Sequence, residues 1–209
     1  MNVGILNYGA GNLTSIANAI RWVGHEPRMI SSRDELDAVS SLILPGVGAF
    51  GYAMKCLDQA KLIDPVRNWA NSGKPLLGIC LGMQLLAKGS EEDGWTEGFG
   101  LVDGIVRAIP RTPGIRIPHM GWNEVYRIKS GILWGNAKSL LVYHVHGYSI
   151  EFNNPTSEER WLTGVSKHGV QLTSMIEFEN IMATQFHPEK SQNDGLNVLT
   201  NFFEAALKC

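Results

Sequence analysis

The chain has 209 residues, with 18 basic and 20 acidic side chains and a net charge of -2. This length suffices for one α/β domain with a sizeable core, and the near-neutral charge leaves no electrostatic footprint for nucleic acid or an anionic membrane. Three cysteines without regular spacing, Cys56, Cys80 and Cys209, argue against a disulfide framework and fit a reducing compartment.

A strand pattern at 3–7 starts almost at the N-terminus. No basic stretch followed by an apolar one precedes it, and no apolar run reaches the ~18 residues of a membrane span. A cytoplasmic protein is expected. The glycine turn Tyr8-Gly9-Ala10-Gly11-Asn12 opens a helix in which Leu13, Ile16, Ala17, Ile20 and Val23 share one face, with Gly24 as its stop. Strands follow at 26–30 and 42–44, the second ending at Pro45-Gly46-Val47-Gly48. A helix covers 49–57, and Asp64-Pro65 reads as N-cap and first position of another, through 70. The apolar segment 75–79 is a strand, with a helix starting near Gly82. This alternation predicts βαβ units and an open, mostly parallel sheet flanked by helices. The second half is strand-rich. After a polar loop at 90–100 come strands at 101–109, 123–128, 140–145, 162–166, 170–176 and 181–186. A closing helix at 195–207 carries Leu196, Leu199, Phe203 and Leu207 on one side. No repeat or linker divides the chain, so a single domain over 1–209 is expected.

The chemistry centres on Gly78-Ile79-Cys80-Leu81-Gly82, a G-x-C-x-G between a strand and a helix. Flanking glycines allow a tight turn without a Cβ clash, and the side chain between them stands proud of the sheet edge, as in a nucleophile elbow. The start of the following helix favours the thiolate, the reactive form. A thiol nucleophile needs a base and a group to orient it. In Gln185-Phe186-His187-Pro188-Glu189-Lys190, His187 leaves a strand end, Pro188 holds it extended, and Glu189 lies near enough to bond the far side of its ring. Cys80, His187 and Glu189 then form a triad in a chain order of its own. The N–H of Leu81, just after the nucleophile, supplies one oxyanion donor, and the turn Pro45-Gly46-Val47-Gly48 a second, unless it is a plain βα turn.

Two other patterns are set aside. His144 and His146 face one side of a strand, but no carboxylate or cysteine with ligand spacing accompanies them, so no metal site is expected. Gly9-Ala10-Gly11 opens a helix after a strand, but Thr14 stands where a third glycine belongs and no acidic residue ends the second strand, so no nucleotide cofactor is expected. Pro118-His119-Met120-Gly121-Trp122-Asn123 reads equally as a packed loop or a recognition surface.

These residues resemble the triad-type glutamine amidotransferases over nearly the whole chain. The motifs are NYGAGN (7–12), LPGVGAF (44–50), GICLGMQLL (78–86), GFGLVDGIV (98–106), PHMGWN (118–123), VHGY (145–148) and QFHPEKS (185–191). PGVGAF together with PHMGWN narrows the resemblance to the histidine-pathway subunits. The resemblance implies glutamine as substrate and no cofactor. Cys80 would attack the side-chain amide, and His187 would protonate the leaving ammonia and then activate water. Glu189 would orient His187, and Val47, Gly48 and Leu81 would line the oxyanion site. Gln84, His146, Gly147 and Tyr148 would bind the substrate. The implied partner is a (β/α)8 barrel cyclase in a heterodimer, receiving ammonia through a tunnel, with 118–123 at the interface. The 45–48 turn is expected to reorient when that partner is loaded. Two positions depart from the family: Asn7 stands where an Asp is usual, and Gly147 where a hydroxyl residue is usual. Both fit a divergent copy serving a surface-polysaccharide sugar as well as a histidine-pathway subunit. A non-catalytic scaffold is disfavoured because the triad and elbow glycines are intact, and a thiol protease because of QFHPEKS and PHMGWN. Cys56 and Cys209 are expected to have no catalytic part.

Overall fold

The computed structural model of the protein describes residues 1–208. Its elements are β1 (Asn2–Leu6), α1 (Leu13–Trp22), β2 (Glu26–Ile30), β3 (Ser41–Leu44), α2 (Phe50–Gln59), α3 (Ile63–Asn71), β4 (Leu76–Ile79), α4 (Leu81–Leu85), β5 (Ala87–Ser90), β6 (Thr96–Glu97), β7 (Val102–Ala108), β8 (His119–Arg127), β9 (Ser139–His146), β10 (Tyr148–Phe152), α5 (Pro155–Trp161), β11 (Leu162–His168), β12 (Val170–Phe178), β13 (Ile181–Thr184) and α6 (Gln192–Ala206).

The large sheet has nine strands in the order β2-β1-β3-β4-β13-β12-β11-β8-β9. From β2 to β13 the strands run parallel; from β13 to β9 each pairing is antiparallel. The inner parallel strands β3, β4 and β13 are short runs buried throughout because both faces are covered, whereas β2 at the edge carries Glu26 and Arg28 and is largely exposed. Alternate side chains separate into two cores. Leu6, Leu42, Leu44 and Leu76 pack toward α2 and α3. Val3, Ile5, Ile43, Leu77 and Ile79 pack toward α1 and α6. A second sheet, in the order β10-β7-β5-β6, packs beside the first core and was not legible in the sequence.

Several boundaries differ from expectation. α3 begins at Ile63 with Leu62 as its cap, so Asp64 and Pro65 lie in its first turn. α4 lasts only five residues before the chain straightens into β5, inside a segment read as helix. β8 starts at His119, so the 118–123 motif is mostly strand rather than loop. β10 and α5 were missed; α5 is marked by Asn154, whose side chain accepts from the Ser157 N–H, and by Pro155 at its start. On α6 the buried stripe is Val198, Leu199, Phe202, Phe203 and Ala206, and Leu207 is exposed. Cys56 is half-buried against the first core, and Cys209 lies outside the described residues. Among the described residues no helix is long and apolar enough to cross a membrane.

Candidate active site

Three neighbouring parallel strands, β3, β4 and β13, end side by side, and their carboxyl ends carry the predicted chemistry. Open α/β sheets gather their sites at that edge. Thr184 pairs with Ile79, and the Cys80 N–H bonds the Thr184 carbonyl at 2.8 Å. This pairing brings Cys80 and His187 together although 106 positions separate them in sequence.

Cys80 sits at φ +55°, ψ -111° and is 6 % exposed. A non-glycine residue there is strained by about 1–3 kcal/mol, a feature of functional turns. The flanking glycines are required by close approach. A Cβ on Gly82 would overlap the Leu44 carbonyl oxygen, and one on Gly78 would come within 3.0 Å of the Gly82 backbone. Gly46 answers from the other side: its Cβ would lie 2.7 Å from that of Leu81. The loop after β3 is therefore pressed against the elbow. As first residue of α4, Leu81 has an N–H without an intrahelical partner.

His187 is extended, at φ -97° and ψ 97°, as Pro188 predicts. Its N–H bonds the Tyr143 carbonyl at 3.0 Å, and Ser191 Oγ donates to its carbonyl at 2.6 Å. Nδ1 lies 2.8 Å from Glu189 Oε1, and both side chains are almost fully buried. Nε2 has no partner in hydrogen-bonding geometry and is left for the thiol. Burial alone would pull the imidazolium down; interaction with the Cys80 sulfur and the Glu189 carboxylate outweighs it and pushes the His187 pKa up to about 10. The site therefore holds imidazolium beside sulfur, the thiolate-stabilising arrangement. A five-residue α4 sums few peptide dipoles, so His187, rather than the helix, is the main positive charge.

A cavity of about 310 Å³ opens over this pair. Cys80, His187, Val47, Gly48 and Leu81 line one part of it. Gln84, His146, Gly147, Tyr148 and Pro118 line the rest. Glu189 stands behind His187. His119 is buried nearby, at 3 % exposure, while Met120 and Trp122 point outward; Gly121 and Asn123 are half-buried. Pro118 lines the cavity just before β8, and strand alternation then divides the rest of the motif between buried His119 and the outward Met120 and Trp122.

Sequence reasoning assigned no role to three residues beside the site. Tyr8 Oη donates to the Pro45 carbonyl at 2.7 Å, and burial keeps its hydroxyl well above the usual tyrosine range and so protonated. Glu92, which also lines the cavity, accepts the Phe50 N–H at 2.8 Å, capping α2 where Ala49 offers no side-chain cap. Gln185 Nε2 points to Cys80 Sγ at 3.9 Å. Tyr8 lies in a motif already singled out; Glu92 lies in a polar loop and carried no signal. For metals, His119 joins His144 and His146 across the β8–β9 pairing, with one nitrogen of each within 4.8 Å of the others.

The glutamine amidotransferase class-I family matches residues 5–206 of this chain. The chain belongs to that family. Among curated relatives, the "Imidazole glycerol phosphate synthase subunit HisH" of Aquifex aeolicus is 43% identical over 211 residues, covering 100% of this chain and 99% of that protein. The protein of the same name from Methanothermobacter thermautotrophicus is 43% identical over 202 residues, covering 97% of this chain and 98% of its own. The fold recurs in the glutaminase domain of Trypanosoma brucei CTPS, with a TM-score of 0.74 at 18% identity, covering 100% of this chain and 94% of that one. It recurs too in a crystal structure described as a glutamine amidotransferase, with a TM-score of 0.75 at 20% identity over 98% of both chains. This class-I glutamine amidotransferase is accordingly an enzyme.

Proposed function

We propose that this amidotransferase is the glutaminase subunit of an imidazole glycerol phosphate synthase, with Cys80, His187 and Glu189 as its triad. The observation that carries the reading is the one cavity in which Cys80, His187 and both oxyanion segments meet. Relatives bearing the histidine-pathway name, about 42% identical over nearly full length, favour that pathway over a polysaccharide acceptor.

The Cys80 thiolate attacks the side-chain amide carbon of glutamine. Charge developing on the amide oxygen is met by the Leu81 N–H and by an N–H of the 45–48 loop, from Val47 or Gly48. His187 gives its proton to the departing nitrogen, ammonia leaves, and a glutamyl thioester remains. Neutral His187 then takes a proton from water; the hydroxide attacks the thioester, glutamate departs, and thiolate and imidazolium are restored. Glu189 holds Nδ1–H throughout, so Nε2 always faces the reacting atoms. Gln84 contacts the glutamine, and His146, Gly147 and Tyr148 hold its amino-acid end, largely through their backbone.

Ammonia released into neutral water becomes ammonium and loses its nucleophilicity, which favours direct delivery to a partner in the cytoplasm. The outward Met120 (62 % exposed) and Trp122 (46 %), with Leu141 (54 %) on the neighbouring edge strand, form an apolar stripe beside the cavity wall. That stripe suits a (β/α)8 barrel cyclase. Loss of one oxyanion donor costs about 10²–10³ in rate, so a turn of the 45–48 peptide suffices to gate the enzyme. The test is glutamate release by this chain, alone and mixed with the cyclase and its nucleotide ligand, with Cys80→Ala as control. Stimulation that vanishes in Cys80→Ala is expected; full activity in the free chain contradicts the gating, and no activity with the cyclase contradicts the assignment.

A further inference from the structure

Four of the six histidines cluster outside the triad: His119, His144, His146 and His168. His119 stacks between His144 (4.4 Å between centroids) and His168 (4.2 Å). The cluster suggests a metal site, but its hydrogen bonds assign every proton differently. Asn123 Oδ1 accepts the Glu124 N–H at 2.8 Å, which fixes the orientation of its amide. Asn123 Nδ2 therefore donates, to the Lys167 carbonyl at 3.0 Å and to His119 Nε2 at 3.0 Å. His119 must then carry its proton on Nδ1, which lies 3.1 Å from His146 Nε2. His146 in turn must carry its proton on Nδ1, which faces the Tyr148 carbonyl at 2.8 Å. A carbonyl only accepts, so both ends of the chain agree on one direction. Each nitrogen of His119 and His146 is used. Of the three histidines whose nitrogens converge, His119, His144 and His146, His144 alone has both nitrogens without partners, and one imidazole does not hold a zinc ion.

The Tyr148 carbonyl is where this hydrogen-bond chain meets the site, as an acceptor shared with a second set of donors. The Tyr148 carbonyl also accepts Gln84 Nε2 at 3.1 Å; Gln84 Nε2 further donates to Gln185 Oε1 at 3.0 Å, and Gln185 Nε2 faces Cys80 Sγ. We propose that Asn123, His119 and His146 are positioning residues. They form a one-way hydrogen-bond chain from strand β8 to the Tyr148 carbonyl and hold that carbonyl in place; the carbonyl, by also accepting from Gln84 Nε2, sets which end of Gln84, and through it of Gln185, faces the site. The proposal rests on the reading of Cys80 as the glutaminase nucleophile. It links Asn123, which sits between exposed Trp122 and the buried histidines, to the amides beside the nucleophile by way of the Tyr148 carbonyl. Burial first, then the neighbouring imidazoles, hold His119 down to about 3; burial holds His146 down to about 4, so both are neutral and able to donate and accept at once.

The experiment is ¹⁵N NMR of the imidazoles in the intact chain, joined to glutaminase kinetics of Asn123→Asp. In the unmodified protein, His119 and His146 should both be Nδ1–H tautomers, the reverse of the form a free neutral imidazole favours. Asn123→Asp accepts where the amide donated. It should move the His119 proton from Nδ1 to Nε2, and with it the His146 proton from Nδ1 to Nε2, and lower kcat/KM for glutamine about tenfold, the scale of one hydrogen bond. Nε2–H tautomers in the unmodified protein, or an Asp variant with unchanged His146 tautomer and unchanged kcat/KM, overturn the proposal. A structural role alone would not invert the tautomers. If Asn123→Asp does not fold, the unmodified spectrum still decides. If the unmodified chain hydrolyses no glutamine under any condition, the glutaminase reading fails instead, and the tautomers judge the chain separately.

Discussion

At the scale of single residues, the charge on His187 is what the fold alters most. Its imidazolium is raised from an ordinary 6.5 to about 10 because, against burial, the Cys80 sulfur and Glu189 favour the charged form. A group raised on folding contributes stability in full below its unfolded pKa and loses it as pH climbs through the folded one. Resistance to urea should therefore fall between about pH 6.5 and 10, and fall less in Cys80→Ala, where one partner of the imidazolium is gone. An equal fall in both proteins would show that Cys80 does not act on His187. Gly147 gives a second residue-level prediction. A Cβ there meets nothing closer than Ile117 Cγ2 at 3.9 Å, so Gly147→Ser should fold normally. Its hydroxyl supplies the group that the sequence resemblance implies at this position and should lower KM for glutamine about two- to tenfold, one hydrogen bond's contribution. A raised KM would mean that the backbone alone binds here.

Among the elements, the 45–48 loop is held at both ends: Tyr8 bonds the Pro45 carbonyl, and Glu92 bonds the Phe50 N–H at the start of α2. Tyr8→Phe removes the first tether without changing shape and leaves a buried carbonyl unpaired. It should cost about 1–3 kcal/mol in chemical denaturation. It should also lower kcat, because the loop supplies the proposed oxyanion donor; a stability loss with kcat intact would separate the tether from catalysis. Gly82→Ala drives a methyl into the Leu44 carbonyl and should destabilise by about 3 kcal/mol or more. The elbow was legible in the sequence because two glycines, a cysteine and an apolar strand are local signals. The end of α4 was not. Its five residues are all buried, and a continuous apolar run does not distinguish a buried helix from a buried strand. β8 was recognised late for a related reason: Met120 and Trp122 are large apolar residues on its outer face, which breaks the alternation of apolar-in and polar-out. Tyr8 and Glu92 escaped notice because their partners lie 37 and 42 residues away.

Across the whole molecule, one nine-stranded sheet has two uses. Its parallel half places Cys80, His187 and the 45–48 loop at a common edge; its antiparallel half carries β8 and β9 outward to an apolar stripe. Strand alternation lets one strand serve both, with His119 inward and Met120 and Trp122 outward. Trp122→Ala should thus leave thermal unfolding of the free chain within a degree or so while weakening cyclase binding about tenfold or more, as expected of an aromatic anchor. Unchanged binding in a titration would move the interface elsewhere. The parallel half was foreseeable from alternating strands and helices. The second sheet was not, because β5, β6, β7 and β10 are joined by pairings no local pattern encodes.

The most direct test of the account is covalent trapping with a glutamine analogue bearing an electrophile at the side-chain amide position, followed by peptide mass spectrometry. One adduct per chain, on Cys80, is predicted, suppressed by glutamine and slowed in His187→Ala. Labelling of Cys56, or of Cys80 at a rate indifferent to both glutamine and His187, would contradict it.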